Sequence, residues 1–87
     1  MEQLLEKFWL KSELEYFTPT EIALFHYLAL RIPQGKERQS NAKLCSVIST
    51  SEKTLIKARE TLINNNIITY QAGSKREISR YQIGSFE

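Results

Sequence analysis

Five polar side chains within one short stretch of the chain are of the types that contact nucleic acid. The five residues are Ser51, Lys53, Thr54, Lys57 and Thr61. If the stretch is helical, with about 100° between successive residues, Lys53 and Lys57 lie one turn apart on the face opposite Leu55. A lysine can bind a phosphate or the O6 and N7 atoms of guanine, and hydroxyls at the start of a helix can bind phosphates. The pattern therefore predicts a helix that enters the major groove of DNA, with an ordinary solvated helix face as the alternative.

A second group of basic residues falls in and beside a predicted β-hairpin. Residues 67–72 and 78–83 are rich in β-branched and aromatic side chains and flank a Gly-Ser-Lys-Arg-Glu tip, which is typical of a hairpin. Lys75 and Arg76 occupy the tip, and Arg80 lies on the returning strand. Basic side chains in such a position commonly reach the minor groove or the phosphates beside it. We therefore predict that the hairpin contacts DNA; the alternative is a tip that only keeps the protein soluble.

Two basic residues outside these two groups are predicted to have different roles from each other. Lys43, near the start of a predicted third helix, is an additional candidate for a phosphate contact. Arg59 lies closer to the apolar stripe of its helix, so we expect an internal salt bridge with Glu52 or Glu60 rather than a DNA contact. The cations that could contact phosphates are then Lys43, Lys53, Lys57, Lys75, Arg76 and Arg80. Six contacts correspond to a slope of roughly −5 in a plot of log affinity against log salt concentration.

These residues need a scaffold, and the apolar periodicity predicts four helices followed by the hairpin. The predicted helices cover residues 2–17, residues 20–31 ahead of an Ile-Pro-Gln-Gly terminator, residues 41–48, and the segment from the cap at 51 to about 65. Their N-caps are Thr18 or Thr20, then Ser40 and Ser51. Residues 35–39 are expected to form a polar loop, and asparagine at 64–66 is expected to close the last helix in the left-handed conformation.

The second predicted helix is apolar on every face apart from His26. A helix of this kind is covered on all sides. One face can pack on the C-terminal half of the chain, and the other needs the first helix or a partner chain. Leu5, Phe8 and Trp9 are therefore candidates for a dimer interface. We expect His26 to be a core residue rather than a ligand or a base.

Charge is distributed unevenly along the chain. Residues 1–31 carry five acidic and three basic side chains, for a net charge of −2, whereas residues 32–87 carry nine basic and five acidic side chains, for +4. Such a split indicates that the C-terminal part faces a polyanion, although a chance asymmetry of a solvated surface explains the charge alone equally well.

Enzyme, metal and membrane functions find no support in the composition. The chain has one histidine, no paired-carboxylate motif and three glycines, so we expect no active site, no cofactor and no metal. The single cysteine, Cys45, excludes an intrachain disulfide, fits the reducing cytoplasm and is expected to act as a small buried hydrophobe. No apolar run approaches the roughly 18 residues of a membrane span, so no membrane partner is expected.

A Phe-Trp pair at 8–9 stands ahead of a Thr-Pro-Thr-Glu helix start at 18–21, and a Ser-Glu-Lys-Thr-Leu sequence occupies 51–55. With these as its most specific segments, the sequence resembles the N-terminal winged-helix domain of DnaD-like primosomal proteins and phage replisome organisers. The resemblance covers nearly the whole chain and implies a DNA-associated role in replication or transcription regulation, with self-association and replication proteins as partners. Ser49 stands where the family usually has a glycine in the turn between the two helices, so an adjusted turn is expected there. Asn66 replaces another frequent glycine, whose left-handed conformation asparagine can adopt.

The sequence thus predicts one domain over residues 1–87 with an α+β, mostly helical fold. The expected architecture is a winged helix-turn-helix, in which residues 40–65 form the helix-turn-helix and residues 67–83 a two-stranded wing, with an extra N-terminal helix at 1–17. The expected function is that of a cytoplasmic, duplex-DNA-binding module with residues 51–65 in the major groove. The alternative function is a protein–protein assembly module that dimerises through its N-terminal helices and has little contact with DNA.

Overall fold

The computed structural model describes residues 2–73 and 79–84, which form four α-helices and a small antiparallel sheet. The elements are α1 (Glu2–Glu15), α2 (Pro19–Arg31), a 3₁₀ turn (Ile32–Gln34), β1 (Arg38–Gln39), α3 (Asn41–Val47), α4 (Glu52–Asn64), β2 (Ile68–Gln71) and β3 (Ser79–Ile83). The predicted α+β, mostly helical class is confirmed. The order of the four helices is also as predicted.

Helix α2 begins with a capping box, which explains why it starts where the sequence predicts a break. The Thr18 hydroxyl accepts a hydrogen bond from the Glu21 backbone N–H at 3.3 Å, and the Glu21 carboxylate accepts one from the Thr18 N–H at 3.0 Å. Pro19 occupies the first turn, where its missing N–H costs nothing. Of the two predicted caps, Thr18 rather than Thr20 therefore fills the position.

Serines cap the next two helices as predicted. The Ser40 hydroxyl accepts a hydrogen bond from the Lys43 N–H at 3.1 Å, and the Ser51 hydroxyl accepts one from the Thr54 N–H at 3.2 Å. Each such cap stabilises its helix by about 1 kcal/mol. Together they fix the starts of α3 and α4, and therefore the tight turn between the two helices.

Three residues other than glycine adopt the left-handed conformation at helix ends in the described chain. Tyr16 has a φ of 55°, and α1 consequently ends at Glu15, two residues before the predicted end at residue 17. Asn66 has a φ of 60°, as predicted for the end of α4. Ser49 has a φ of 53°. The turn between α3 and α4 thus keeps the glycine-like conformation that we did not expect of a serine there, at a steric cost of roughly 1–2 kcal/mol.

The sheet has three strands in the order β1-β3-β2: β2 and β3 pair antiparallel as predicted for the hairpin, and β1 adds a third strand that was not predicted. Central strand β3 pairs antiparallel with both neighbours, so that Arg80 lies opposite Arg38 on one side and opposite Gln71 on the other. Residues 38–39, predicted as loop, form β1. Two polar residues are too few to show the alternation of apolar and polar side chains that predicts a strand. This strand forms only through its pairing with a distant part of the chain.

The core lies between α2, α4 and the sheet, and α1 closes it on one side. Phe8 of α1 is fully buried and stacks on Phe25 of α2, with ring centroids 4.0 Å apart, and on Phe17 at 5.4 Å. Because α1 covers this face, α2 needs no partner chain there. The remaining fully buried core side chains of the described residues are Leu24, Leu28, Ala29, Leu44, Leu55, Leu62, Ile67, Ile68 and Tyr81. None of the helices in residues 2–73 combines the length and the apolar content needed to cross a bilayer.

Candidate nucleic-acid interface

Helix α4 has one anchored face and one exposed polar face. Leu55, Ala58 and Leu62 are buried, so the helix is held against the core along the predicted stripe. Lys53 and Lys57 are exposed on the other side, one turn apart, as predicted. The exposed residues beside them in α4 are Glu52, Thr54, Ile56, Glu60 and Asn64. Both lysines are therefore available to an anion, although two glutamates reduce the net charge of the face.

The three predicted hydroxyl contacts differ in what they can still donate. The Ser51 hydroxyl donates to the Thr54 hydroxyl at 2.9 Å while accepting the Thr54 N–H, so its own hydrogen is already used. The Thr54 hydroxyl is exposed and keeps its hydrogen for a ligand. Thr61 is half-buried and donates to the Lys57 carbonyl at 3.2 Å. Thr54 is therefore the hydroxyl of α4 best suited to donate to a phosphate.

A small cleft joins the outer side of α4 to the start of α2. It has a volume of about 230 Å³ and is lined by Thr18, Thr20, Glu21, Thr54, Lys57 and Ala58. Glu21, the one acidic residue among the described residues of its lining, is held in the capping box of α2. Within this cleft, the hydroxyl of Thr54 and one side of the Lys57 side chain are exposed to solvent.

A second basic surface, which we call the basic groove, lies between β1 and the start of α3. The groove has a volume of about 450 Å³ and is lined by Gly35, Lys36, Glu37, Arg38, Gln39, Ser40 and Lys43. Lys36, Arg38 and Lys43 are all exposed. Of these three, only Lys43 was predicted from the sequence to contact a phosphate. Lys36 lies in a loop and Arg38 in a two-residue strand, and neither segment is long enough for a periodic pattern to show which side is exposed. The only sequence signal for these two residues was the excess of basic side chains after residue 31.

The predicted hairpin contacts are only partly described. Lys75 and Arg76 lie outside the described residues. Arg80 is half-exposed on β3, where its guanidinium forms an ion pair with Glu37 at 3.5 Å. Arg80 therefore lies at the edge of the basic groove, with part of its charge balanced by a carboxylate.

Arg59 lies inside the molecule, and its partners differ from those predicted. It is 8% exposed, and its Nη1 donates to Asn41 Oδ1 at 2.9 Å and to the Tyr81 hydroxyl at 3.0 Å. Its guanidinium also lies 4.2 Å from the centre of the Tyr70 ring. The internal position of Arg59 was predicted correctly, but the expected salt bridge with Glu52 or Glu60 was wrong, because Arg59 donates to Asn41 and Tyr81 instead. Arg59 joins α4 to the start of α3 and to both long strands of the sheet.

The contact with Arg59 also affects the phenol of Tyr81. Burial raises the pKa of Tyr81 above its ordinary value of 10.0, and the hydrogen bond and positive charge of Arg59 partly counteract that rise. At neutral pH the phenol therefore stays protonated. Its oxygen accepts the hydrogen bond from Arg59 without carrying charge.

The N-terminal residues predicted for a dimer interface fall in different environments. Phe8 is enclosed by this chain's own core, so it cannot contact a partner and its assignment is corrected to a core residue. Leu5 is half-buried and packs against the same core. Trp9 is 46% exposed and lies edge-on to His26, with ring centroids 5.6 Å apart. The neighbouring Leu10 is 57% exposed, so α1 presents large apolar side chains to solvent.

His26 and Cys45 both pack against residues of the core. The His26 ring packs between the aromatic rings of Phe8, Trp9 and Phe25. Its Nε2 atom is buried without a hydrogen-bond partner. Cys45 is a half-buried free thiol that packs against the core. Within residues 2–73 and 79–84, no three His, Cys, Asp or Glu side chains are grouped so as to hold a metal ion.

No family model, no curated protein and no solved structure matches the chain.

Proposed function

We propose that this chain is a winged-helix module that binds duplex DNA, with α4 as the recognition helix in the major groove and the β2–β3 hairpin as the wing on the backbone. The observation that carries the proposal is the pair Lys53 and Lys57, exposed on a helix whose opposite face is anchored in the core. A recognition helix needs both properties, since it must dock on its own domain while presenting cations and short polar side chains to the groove.

Three further features support this proposal. Helices α3 and α4 are joined by a tight turn with a left-handed residue at Ser49, and a β-hairpin follows α4. Exposed cations line the basic groove at the start of α3, the helix that packs on α4. The resemblance of the sequence to DnaD-like primosomal and phage replisome organiser proteins favours a role in replication initiation, or in transcription regulation.

The proposal is tested by reversing one charge on α4 and one elsewhere. Lys57→Glu should weaken binding to a labelled mixed-sequence duplex by at least roughly eightfold at 0.1 M salt. Each phosphate contact contributes about 0.9 to the salt slope, which corresponds to a factor of about eight in affinity between about 1 M and 0.1 M salt. Lys7→Glu changes an exposed lysine on α1 and gives the same net charge, so it serves as the matched control. Fluorescence anisotropy measures affinity, and far-ultraviolet circular dichroism checks that both variants fold. Equal affinities for the two variants would refute a role for α4 in DNA binding.

A second candidate function is that of an assembly module that dimerises through α1. It is favoured by the exposure of Trp9 and Leu10, since large apolar side chains exposed close together often mark a protein interface. Sedimentation velocity over a range of concentrations should then show a dimer that Trp9→Ala disrupts. Wild-type protein that stays monomeric at high concentration would remove this candidate.

A further inference from the structure

The basic groove is a preformed surface, because hydrogen bonds hold the backbone that carries its cations. Gln39 is only 3% exposed, and its side-chain amide donates to the Lys36 carbonyl at 2.8 Å. The Lys36 N–H donates to the Arg31 carbonyl at 3.1 Å, and the Tyr81 N–H donates to the Glu37 carbonyl at 2.7 Å. Residues 36–39 are therefore tied at several points to the end of α2 and to β3.

The charge of the groove is positive and largely uncompensated. Among the described residues, no carboxylate lies within ion-pair distance of Lys36, Arg38 or Lys43. Among the described lining residues Glu37 is the only acidic one, and it faces Arg80 at 3.5 Å. In this part of the chain, three exposed cations thus share one concave surface without a carboxylate paired to any of them. Such a surface attracts an anion with charge repeated at intervals, and arginine adds the ability to bind a phosphate through two parallel hydrogen bonds.

We propose that the basic groove binds the phosphodiester backbone of DNA as a second surface, separate from the outer face of α4. The proposal rests on the DNA-binding function proposed above for this chain. The groove flanks the helix pair, since β1 leads through Ser40 directly into α3, which packs on α4. The longest dimension of the molecule is 37 Å, about one turn of B-DNA, which is 34–36 Å. The two surfaces therefore lie no farther apart than about one turn of duplex.

Two double variants of equal charge test the groove. Lys36→Ala/Lys43→Ala removes two cations from it, and Lys7→Ala/Lys11→Ala removes two from α1. With labelled duplex across a salt series, the groove variant should lower the magnitude of the salt slope by about 1.8 and weaken binding roughly 60-fold at 0.1 M salt. The α1 variant should change both quantities much less. Circular dichroism of both variants establishes that they are folded.

The outcomes separate the groove from α4. A groove variant that binds like wild type, while Lys57→Glu loses affinity, would overturn the groove proposal and leave the role of α4 intact. Loss of affinity in the groove variant with none in Lys57→Glu would support the groove and overturn the role of α4. If the groove variant instead loses self-association in sedimentation but keeps its DNA affinity, the groove holds the acidic N-terminal part of a second copy, and the proposal is wrong. Wild-type protein that binds no duplex at any salt concentration overturns both proposals.

Discussion

Replacing Arg59 with methionine should lower the free energy of unfolding by about 2–3 kcal/mol. The substitution leaves the buried Tyr81 hydroxyl without its partner, which costs about 1–3 kcal/mol. It also removes the cation–π contact with Tyr70, which contributes about 1 kcal/mol or more when shielded from water. The half-buried Asn41 amide can turn to solvent, and removing a buried charge offsets part of the loss.

Thermal and urea denaturation followed by circular dichroism measure this effect. For a domain of this size, 2–3 kcal/mol corresponds to a fall in Tm of roughly 8–24 °C. Arg38→Met is the matched control, because Arg38 is exposed and such a change normally alters stability by about 0.5 kcal/mol or less. A double-mutant cycle between Arg59→Met and Tyr81→Phe should give a coupling energy of about 1 kcal/mol. An Arg59→Met variant as stable as Arg38→Met would refute the view that Arg59 ties α4 to the sheet.

Three further predictions concern stability. Because burial raises the folded-state pKa of Tyr81, the unfolded chain releases that proton first as pH rises. The contribution of the protonated phenol to the free energy of unfolding is complete below pH 10.0 and declines as pH rises from there towards the folded-state pKa. In urea denaturation at alkaline pH, the stability of Tyr81→Phe should therefore fall less than that of the wild type. Equal declines would contradict this assignment. Thr18→Ala should lose about 1 kcal/mol by removing the capping box, whereas Thr20→Ala, one position inside the helix, should lose little in the same denaturation assay. Gly84→Ala should destabilise by more than about 2 kcal/mol, because its Cβ would collide with the backbone carbonyl of Asn66; a thermal melt unchanged from wild type would show that the two segments are not packed this closely.

The helices were predictable because their signals are local. Ser40 and Ser51 cap helices within three residues of their own positions, and the stripe of α4 can be counted from Leu55. The end of α1 was placed two residues too late, since nothing in the sequence marks Tyr16 as left-handed. The serine in the turn at 49 was also misjudged, because the packing of α3 on α4 imposes a conformation that serine alone would not favour.

The features that were missed depend on contacts between distant parts of the chain. β1 exists because Arg38 pairs with Arg80, and no local pattern in two residues reveals such a partner. Arg59 was recognised as an internal residue from its position on the helix. Its partners, however, lie 18 and 22 residues away along the chain at Asn41 and Tyr81, beyond the reach of helical spacing.

The residues of the candidate site fall into the same two groups: those predictable from local patterns and those that depend on contacts between distant parts of the chain. Lys53 and Lys57 could be assigned from helical periodicity, which says which face of α4 is exposed. Lys36 and Arg38 could not, because their shared surface with Lys43 forms only when β1 joins the sheet. Phe8 was assigned to a dimer interface because sequence alone cannot distinguish an apolar residue that meets another chain from one that closes its own core.

The most direct test of the central claim is the salt dependence of binding between the wild-type protein and a labelled mixed-sequence duplex. We predict that log affinity falls linearly with log salt concentration, with a slope of roughly −5 for six phosphate contacts. The slope should be steeper if Lys36 and Arg38 also bind the backbone. Absence of binding at low salt, or an affinity that does not change with salt, would contradict the proposal that this chain binds DNA through its basic surfaces.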